Sequence, residues 1–370
     1  MYILFLYDKY ISLMEEPLNN KKLSILTFKI KLKRNFVRRN KNSEKKKWYK
    51  FRKQINKYIK VAKRIANYCI KPNVKFTKLT SADVKHLGEL NSGIANQIIR
   101  KYKGNINCKT ISNVNLIIPA CSNAAYPSII YNKRNTKLTI KPLKLNLRWK
   151  CPIDFEKINQ VELNNEFAFV CVTVADEKKK KYKECIGVDL NIRHNLATVG
   201  YKKKNKCKFL GKGYIYERVK YKEIRRRYQK QGRLNRIKQM GSKESRVMND
   251  LNQKLSKQII DIAVKREANI SFEQLSGVRK AKSCKGFKYF LNSWQFFRLQ
   301  QYVVYKSKLQ GIKTVFIDPR YTSQDCSDCG FRNKTSTKKY HCRSCGLDIH
   351  RDKNASFNIE YRGRKELYQA

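Results

Sequence analysis

The chain has 370 residues and carries 84 lysines and arginines against 28 aspartates and glutamates, which gives a formal net charge of +56. A hydrophobic content of 41% excludes a disordered basic tail, and no apolar run is long enough to span a bilayer. Like charges at this density repel one another unless a polyanion neutralises them, so nucleic acid is the first candidate partner. A lysine-rich coding bias is the alternative, but it does not explain why the basic residues are clustered.

The N-terminal part of the chain changes from a strand pattern to a helix pattern. Residues 1–22 are interpreted as an N-terminal extension, without the basic start and small-residue cleavage site of a signal peptide. Residues 24–33 alternate apolar and polar side chains in their second half, as a half-buried strand does. From Trp48 to Cys69 the apolar residues recur at helical spacing, and a second helix is expected to begin at Ser81.

Two clusters of basic residues are the predicted nucleic-acid-binding residues, because phosphate contacts need exposed cations. The first lies on the basic face of the helix that contains Trp48, and the second lies in a long basic stretch of the second half. Their members are Lys45, Lys46, Lys47, Lys50, Arg52 and Lys53 in the first cluster, and Arg225, Arg226 and Arg227 in the second.

Residues 113–174 break into short apolar runs that are typical of strands, and Pro142 indicates a sheet edge or a bulge. One strand before the helical block and several after it predict a β-barrel that is split by a helical insertion. The predicted barrel comprises residues 23–40 and 108–178, and the predicted insertion comprises residues 41–107.

The second half has the alternating pattern of an α/β domain. Apolar strands are predicted at residues 185–189, 196–199, 206–210, 269–273 and 314–317. Helices are predicted over residues 217–266, with a break at Gly241 and Ser242, and over residues 293–309. Together the two halves predict a multidomain α+β protein.

Four of the twelve cysteines form two C-x-x-C pairs, each followed by a glycine, at Gly330 and Gly346. Two such pairs on tight turns can close a tetrahedral shell around Zn²⁺, and a shell of four thiolates leaves no position for a substrate. The spacing therefore predicts a structural zinc ion rather than a catalytic one, with four ordinary thiols as the alternative. The predicted ligands are Cys326, Cys329, Cys342 and Cys345.

Three acids stand where a catalytic metal could be bound. Asp189 and Glu273 each end an apolar strand, and Asp352 opens a segment that can begin a helix. Ligands collect at the carboxyl ends of strands in an open α/β sheet, and carboxylate oxygens are the ligands that Mg²⁺ prefers. Each acid alone is more often a turn or capping residue, so the prediction depends on their order and context.

That order and context resemble the TnpB family of transposon-encoded, RNA-guided nucleases. The resemblance extends over about residues 24–360, and the cysteine-containing segment and the segment with Asp352 are its most specific parts. The segments that carry it are residues 90–102 (LNSGIANQIIRKY), 186–191 (IGVDLN), 271–275 (SFEQL), 322–330 (TSQDCSDCG), 340–346 (YHCRSCG) and 351–359 (RDKNASFNI).

The resemblance implies a role for each predicted site. Asp189, Glu273 and Asp352 would be the three RuvC-type catalytic carboxylates that bind two Mg²⁺ ions. The barrel would be of the wedge type. Residues 179–321 and 347–370 would form an RNase H-like (RuvC) nuclease domain, with the zinc ribbon inserted at residues 322–346. The partners would be a guide RNA and a double-stranded DNA target next to a short motif.

Several alternatives stay open from the sequence. A miniature type V CRISPR effector shares the nuclease parts, a binding-only RNA-guided regulator would need a defective site, and a transposase can use the same fold. His350 stands where an acid is common in the family, and a solvated or capping histidine is expected there. We expect a cytoplasmic, nucleoid-associated protein, and the sequence makes no prediction of its oligomeric state.

Overall fold

A computed structural model describes residues 23–36, 42–71, 74, 78–103, 108–120, 127–177, 180–192, 195–241, 243–275, 295–335 and 337–368. The chain divides into two compact units, Met1–Ala175 and Asp176–Ala370. The extension predicted at residues 1–22 lies outside the described residues. Within the ranges given above, no helix combines the length and the apolar character that crossing a membrane requires.

The first unit is built on an antiparallel sheet with the order β1-β7-β6-β2. The helices α1, α2 and α3 follow β1 in the chain and precede β2. The elements are β1 (Leu23–Lys31), α1 (Leu32–Phe36), α2 (Asn42–Cys69), α3 (Ser92–Lys103), β2 (Leu116–Pro119), β3 (Ile129–Asn132), β4 (Lys137–Ile140), β5 (Leu145–Arg148), β6 (Lys157–Leu163) and β7 (Phe167–Ala175).

The prediction of a closed barrel is wrong for the described residues. The strands β3, β4 and β5 form a separate three-stranded sheet, and β1 and β2 remain at the two edges of the four-stranded sheet. Short turns connect β3 to β4 and β4 to β5, so these four-residue strands pair with their neighbours in sequence. Pro142 lies in a 3₁₀ turn, Lys141–Leu143, between two of these strands.

The predicted long helix is α2, whose buried side chains include Trp48, Ile55, Ile65 and Cys69. The predicted start of the next helix at Ser81 is wrong, because α3 begins at Ser92. Asp83 accepts hydrogen bonds from the backbone and hydroxyl of Thr80 at 2.7 and 2.8 Å and forms a turn there.

The second unit contains a five-stranded sheet with the order β10-β9-β8-β11-β12. The strands β10, β9 and β8 are antiparallel, whereas β8, β11 and β12 are parallel. The elements are β8 (Glu184–Leu190), β9 (Ala197–Tyr201), β10 (Lys206–Leu210), α4 (Tyr214–Lys230), α5 (Leu234–Met240), α6 (Lys243–Arg266), β11 (Ala268–Glu273), α7 (Phe296–Lys308), β12 (Thr314–Ile317), β13 (Lys339–His341), β14 (Asp348–His350) and α8 (Arg351–Tyr368).

The long basic helical stretch has two breaks rather than the one predicted. Gly241, at φ +47°, follows the end of α5, and its predicted partner Ser242 lies outside the described residues. The second break follows α4, where Gly232 adopts φ +65° and donates its N–H to the Gln229 carbonyl at 3.1 Å.

The helix α8 packs directly on the five-stranded sheet. A Cβ added at Gly187 of β8 would lie 2.5 Å from the Glu360 nitrogen and closer still to the Ser356 carbonyl oxygen. The glycine therefore lets the helix backbone approach the strand backbone, and this close approach fixes α8 relative to β8.

Candidate functional site

The three predicted acids lie on neighbouring elements of the second unit. Asp189 is the penultimate residue of β8, and Glu273 is the last residue of β11. These strands are adjacent and parallel, with Phe272 opposite Val188, so both acids extend from the same edge of the sheet. Asp352 is the second residue of α8, the helix that packs on this sheet.

The electrostatics of Asp189 indicate that the acids influence one another. Its side chain is buried, and burial together with the charges of Glu273 and Asp352 raises its pKa well above the usual value. Burial also raises the pKa of Glu273, while the hydrogen bond from Thr322 and the charge of Arg362 act in the opposite direction. A buried acid whose ionisation is disfavoured by two neighbouring carboxylates marks a site that a cation would stabilise.

Each acid is oriented by a different polar side chain. Asn191 donates its Nδ2 proton to Asp189 Oδ2 at 2.8 Å, and the Thr322 hydroxyl donates to Glu273 Oε1. The Lys338 ammonium donates to both carboxylate oxygens of Asp352, at 2.7 Å each. No role was predicted for these three residues, although Asn191 and Thr322 lie in the segments that carry the family resemblance.

His350 caps α8, which is one of the two roles expected for it. Its Nδ1 accepts a hydrogen bond from the backbone N–H of Asp352 at 3.2 Å, at the start of α8. The imidazole also packs edge-on against Phe209, with ring centroids 5.0 Å apart.

A cleft of about 460 Å³ opens beside Asp352. Its charged lining residues are two lysines and one aspartate, so its walls carry a net positive charge. Its lining residues are Asn195, Lys212, Ile215, Lys338, His350 and Asp352.

The donor set of the three acids fits Mg²⁺ in chemistry, because all the side-chain donors are carboxylate oxygens. Among the described residues, however, the four cysteines are the one group of at least three histidines, cysteines or acids whose possible ligand atoms all lie within 4.8 Å of one another. The carboxylates are less closely gathered, and an ammonium group occupies both oxygens of Asp352.

The four predicted cysteines come together as one cluster. The Sγ atoms of Cys326 and Cys345 are 3.6 Å apart, as are those of Cys329 and Cys342. These distances and the all-thiol donor set fit a tetrahedral zinc ion. Burial tends to raise the pKa of the Cys342 thiol, but the surrounding backbone and thiol hydrogen bonds lower it to about 6, which favours the thiolate form.

The two cysteine pairs adopt the same turn. Gly330 donates its N–H to the Cys326 carbonyl at 3.0 Å, and Gly346 donates to the Cys342 carbonyl at 3.0 Å. Both glycines have positive φ, at +78° and +73°, a conformation that glycine adopts without strain.

Two asparagines of α8 connect the cysteine cluster to the acids. Asn354 donates to the Asp325 carbonyl at 2.7 Å and accepts from the Ser327 N–H at 2.9 Å. Asn358, one turn later, donates to the Thr322 and Asp325 carbonyls at 2.8 and 2.7 Å. The helix that carries Asp352 therefore holds both the first cysteine turn and the Thr322 backbone in place.

The first basic cluster is mostly exposed on α2, whereas two residues of the second cluster form ion pairs with glutamates. In the first cluster Lys45 is half-buried and the other five residues are exposed. In the second, Arg225 forms an ion pair with Glu244, and Arg226 lies 3.8 Å from Glu223. Arg227 is exposed and lies over the Tyr228 ring at 5.7 Å. The first cluster is therefore the more accessible to phosphate groups.

Comparison with known proteins gives matches in sequence and in structure. Residues 296–359 match the family model described as Cas12f1-like, TNB domain. The chain is 36% identical over 131 residues to the CRISPR-associated endodeoxyribonuclease Cas12f1 of Sulfoacidibacillus thermotolerans, a match that spans 34% of this chain and 30% of that protein. It is 30% identical over 214 residues to the TnpB-like protein aq_aa05 of Aquifex aeolicus, which spans 51% of this chain and 70% of that protein.

A solved structure to which this chain aligns is that of a Cas12f1-sgRNA-target DNA complex. The alignment covers 91% of this chain and 99% of that chain, at 18% identity and a TM-score of 0.41.

Proposed function

This chain belongs to the TnpB family, and we propose that it is an RNA-guided DNA endonuclease that hydrolyses phosphodiester bonds with the help of Mg²⁺. Its targets would be DNA sequences that match a guide RNA and lie next to a short motif, with base pairing providing the sequence choice. A cytoplasmic, nucleoid-associated location is part of this proposal.

The observation that carries the proposal is the placement of Asp189, Glu273 and Asp352 at one edge of the second sheet. Asp189 is buried, its pKa is raised by burial and by the other two acids, and a cationic cleft lies beside Asp352. Such a concentration of buried acids in a strongly basic protein is unfavourable unless a cation binds there, and a nuclease site uses that cation.

The three carboxylates are the proposed Mg²⁺ ligands. Metal ions held there would activate a water molecule and stabilise the leaving oxygen of the phosphodiester. The chain's own polar side chains orient the ligands, since Asn191 bonds Asp189, Thr322 bonds Glu273 and His350 caps the helix that presents Asp352.

The proposed domain organisation assigns the five-stranded sheet and α8 to an RNase H-like (RuvC) domain. The sheet order, with three antiparallel strands followed by two parallel ones, supports this assignment. The cysteine cluster would hold a structural zinc ion in a ribbon, and the four-stranded sheet of the first unit would correspond to the wedge-type domain with its helical insertion.

The exposed basic face of α2 is the proposed contact with the guide RNA or with the heteroduplex backbone. Arg226 and Arg227 are proposed as further contacts, and Arg225 is the weakest candidate because Glu244 already neutralises its charge. Charge on these side chains would supply affinity without sequence preference.

A miniature type V CRISPR effector is the second candidate, because Cas12f1 is among the similar proteins. The two candidates differ in whether the guide comes from the element's own end or from a repeat array, so the genomic neighbourhood distinguishes them. A binding-only regulator and a strand-joining transposase are less well supported, since the three acids are all present and the cysteine ribbon immediately precedes Asp352.

The experiment that tests the proposal is cleavage of a plasmid library with randomised bases beside a guide-matched target. The protein is co-expressed with its flanking genomic RNA, and Asp189→Ala is compared with wild type. We expect guide-dependent and Mg²⁺-dependent cleavage, and a rate lower by about 10²–10³-fold or more in the variant, as for loss of one electrostatic group at a reacting centre.

The variant should still bind guide RNA, because Asp189 lies in the carboxylate site and not in a basic cluster. Guide-dependent binding without cleavage by the wild-type protein would support the regulator instead. Cleavage or strand joining that does not depend on RNA would support the transposase.

A further inference from the structure

The side chain of Lys338 lies in the carboxylate site, although its backbone belongs to the cysteine ribbon. Its Nζ is 2.7 Å from Asp352 Oδ1 and 2.7 Å from Asp352 Oδ2. The same Nζ is 3.5 Å from Asn191 Oδ1, and Asn191 donates to Asp189 at 2.8 Å. The ammonium therefore bonds one acid directly and a second acid through an amide.

The ion pair has one buried and one accessible partner. The Asp352 side chain is 4% exposed, whereas that of Lys338 is 35% exposed. Leaving the buried carboxylate unpaired would cost free energy, whereas the ammonium is hydrated when its side chain moves into water. The contact therefore neutralises the acid and remains reversible.

Displacement of the ammonium would not remove Lys338 from the site. Its carbonyl accepts a hydrogen bond from the Arg351 N–H at 2.7 Å, directly before Asp352 in the chain. The backbone position is thus tied to the start of α8, and only the flexible side chain has to move.

We propose that Lys338 is a displaceable cation that occupies the Asp352 carboxylate until a divalent metal ion replaces it, so that it sets the metal affinity of the site. Lys338 is a positioning residue in this scheme: it holds the acids in the metal-free protein and competes with the metal for the same oxygens. The inference rests on the proposed metal site, but not on guide RNA or on cleavage.

The test compares Lys338→Met with Lys339→Met, which removes the same charge one residue further along the chain. Lys339 is a matched control because it bonds Asp348 at 3.1 Å at the surface, with side-chain exposures of 77% and 46%. The zinc-loaded, guide-free protein is titrated with Mn²⁺, and binding is followed by electron paramagnetic resonance and calorimetry. Asp189→Asn identifies the part of the signal that belongs to the carboxylate site.

Removal of a competing charged hydrogen bond should tighten binding of Mn²⁺ by about five- to tenfold in Lys338→Met. Lys339→Met should stay within about twofold of wild type, since its charge lies on a solvent-screened pair. Lys338→Gln, which keeps a polar head but not the charge, should resemble Lys338→Met and guards against a packing artefact.

The inference would be overturned if Lys338→Met bound Mn²⁺ no more tightly than Lys339→Met, or more weakly than wild type. Either result would leave the nuclease proposal intact. Binding that Asp189→Asn does not diminish would overturn both, because the carboxylates would then not hold the metal. The Mg²⁺ concentration for half-maximal cleavage provides a second readout and should fall in Lys338→Met in parallel with the Mn²⁺ dissociation constant.

Discussion

Glu360 shows that a buried acid in this protein need not belong to the functional site. Its side chain is fully buried on α8, where Oε2 accepts a hydrogen bond from the Lys202 N–H at 2.5 Å and Oε1 has no hydrogen-bond partner among the described residues. Burial raises its pKa to about 7. The charge of one acid, Glu184, adds to the effect of burial on Glu360, whereas the charges of two acids, Glu273 and Asp352, add to it on Asp189.

Glu360→Gln should reduce the pH dependence of stability. Because the folded-state pKa of about 7 exceeds the usual 4.5, the folded state binds the proton more tightly, and stability falls as pH rises between these values. Relative to the glutamine variant, the wild-type protein should lose about 3 kcal/mol of unfolding free energy between pH 4 and pH 8. Urea denaturation at a series of pH values measures this difference.

The control for this prediction is Glu366→Gln, which removes one charge from an exposed position of the same helix. It should leave the wild-type pH dependence in place. Equal pH profiles for Glu360→Gln and wild type would mean that Glu360 has the same pKa in the folded and unfolded protein.

The close packing of α8 on β8 depends on Gly187. Gly187→Ala would force its Cβ against the Ser356 carbonyl and the Glu360 nitrogen, both of which are backbone atoms that cannot rotate away. We expect a loss of about 3 kcal/mol in unfolding free energy, the upper end of the range for overpacked positions. Thermal and urea unfolding measure the change.

Gly213→Ala is the matched control for Gly187→Ala, since a Cβ there meets no atom within 4 Å and its φ is −82°. A stability for Gly187→Ala close to that of this control would show that α8 can shift on the sheet. If α8 can shift, its Asp352 carboxylate can move with it. The cleavage rate of Gly187→Ala would then show whether the carboxylate site requires the close packing of α8 on β8.

Elements with a strong local pattern were predictable, whereas those that depend on tertiary contacts were not. The strands β10 and β12 have the bounds predicted from their apolar runs, at residues 206–210 and 314–317. The barrel prediction was wrong because the sequence does not state which strands pair, and the start of α3 was wrong because Asp83 forms a local turn. Asn191 lies two residues from Asp189, but Lys338 is 14 residues from Asp352 and Thr322 is 49 residues from Glu273, so no local spacing indicates the last two contacts.

At the scale of the whole molecule, a net charge of +56 predicts strong binding to any polyanion at low salt. Guide-specific recognition therefore has to be measured where non-specific contacts are screened. Each lysine that neutralises a phosphate contributes to the salt dependence of affinity through counterion release, and this slope reports on which surfaces of the molecule contact the nucleic acid.

The α2 cluster can be tested in this way with the triple substitution Lys46→Ala, Lys50→Ala and Lys53→Ala on three exposed positions. If all three contact RNA phosphates, the slope of log K against log salt should become shallower by about two, from a contribution of about 0.7 per phosphate contact on a single strand. Fluorescence anisotropy with the guide RNA at several salt concentrations measures the slope. Because phosphate contacts carry no sequence information, the ratio of affinities for matched and unmatched targets should not change.

A triple substitution of Lys137, Lys141 and Lys144 removes the same total charge from exposed positions outside the two predicted clusters. If the slope depends on net charge alone, both triple variants will change it equally, and α2 then has no special role. If only the α2 variant changes the salt slope, the RNA contacts α2 locally. The high overall charge then acts mainly to speed the encounter with nucleic acid and does not determine where the nucleic acid binds.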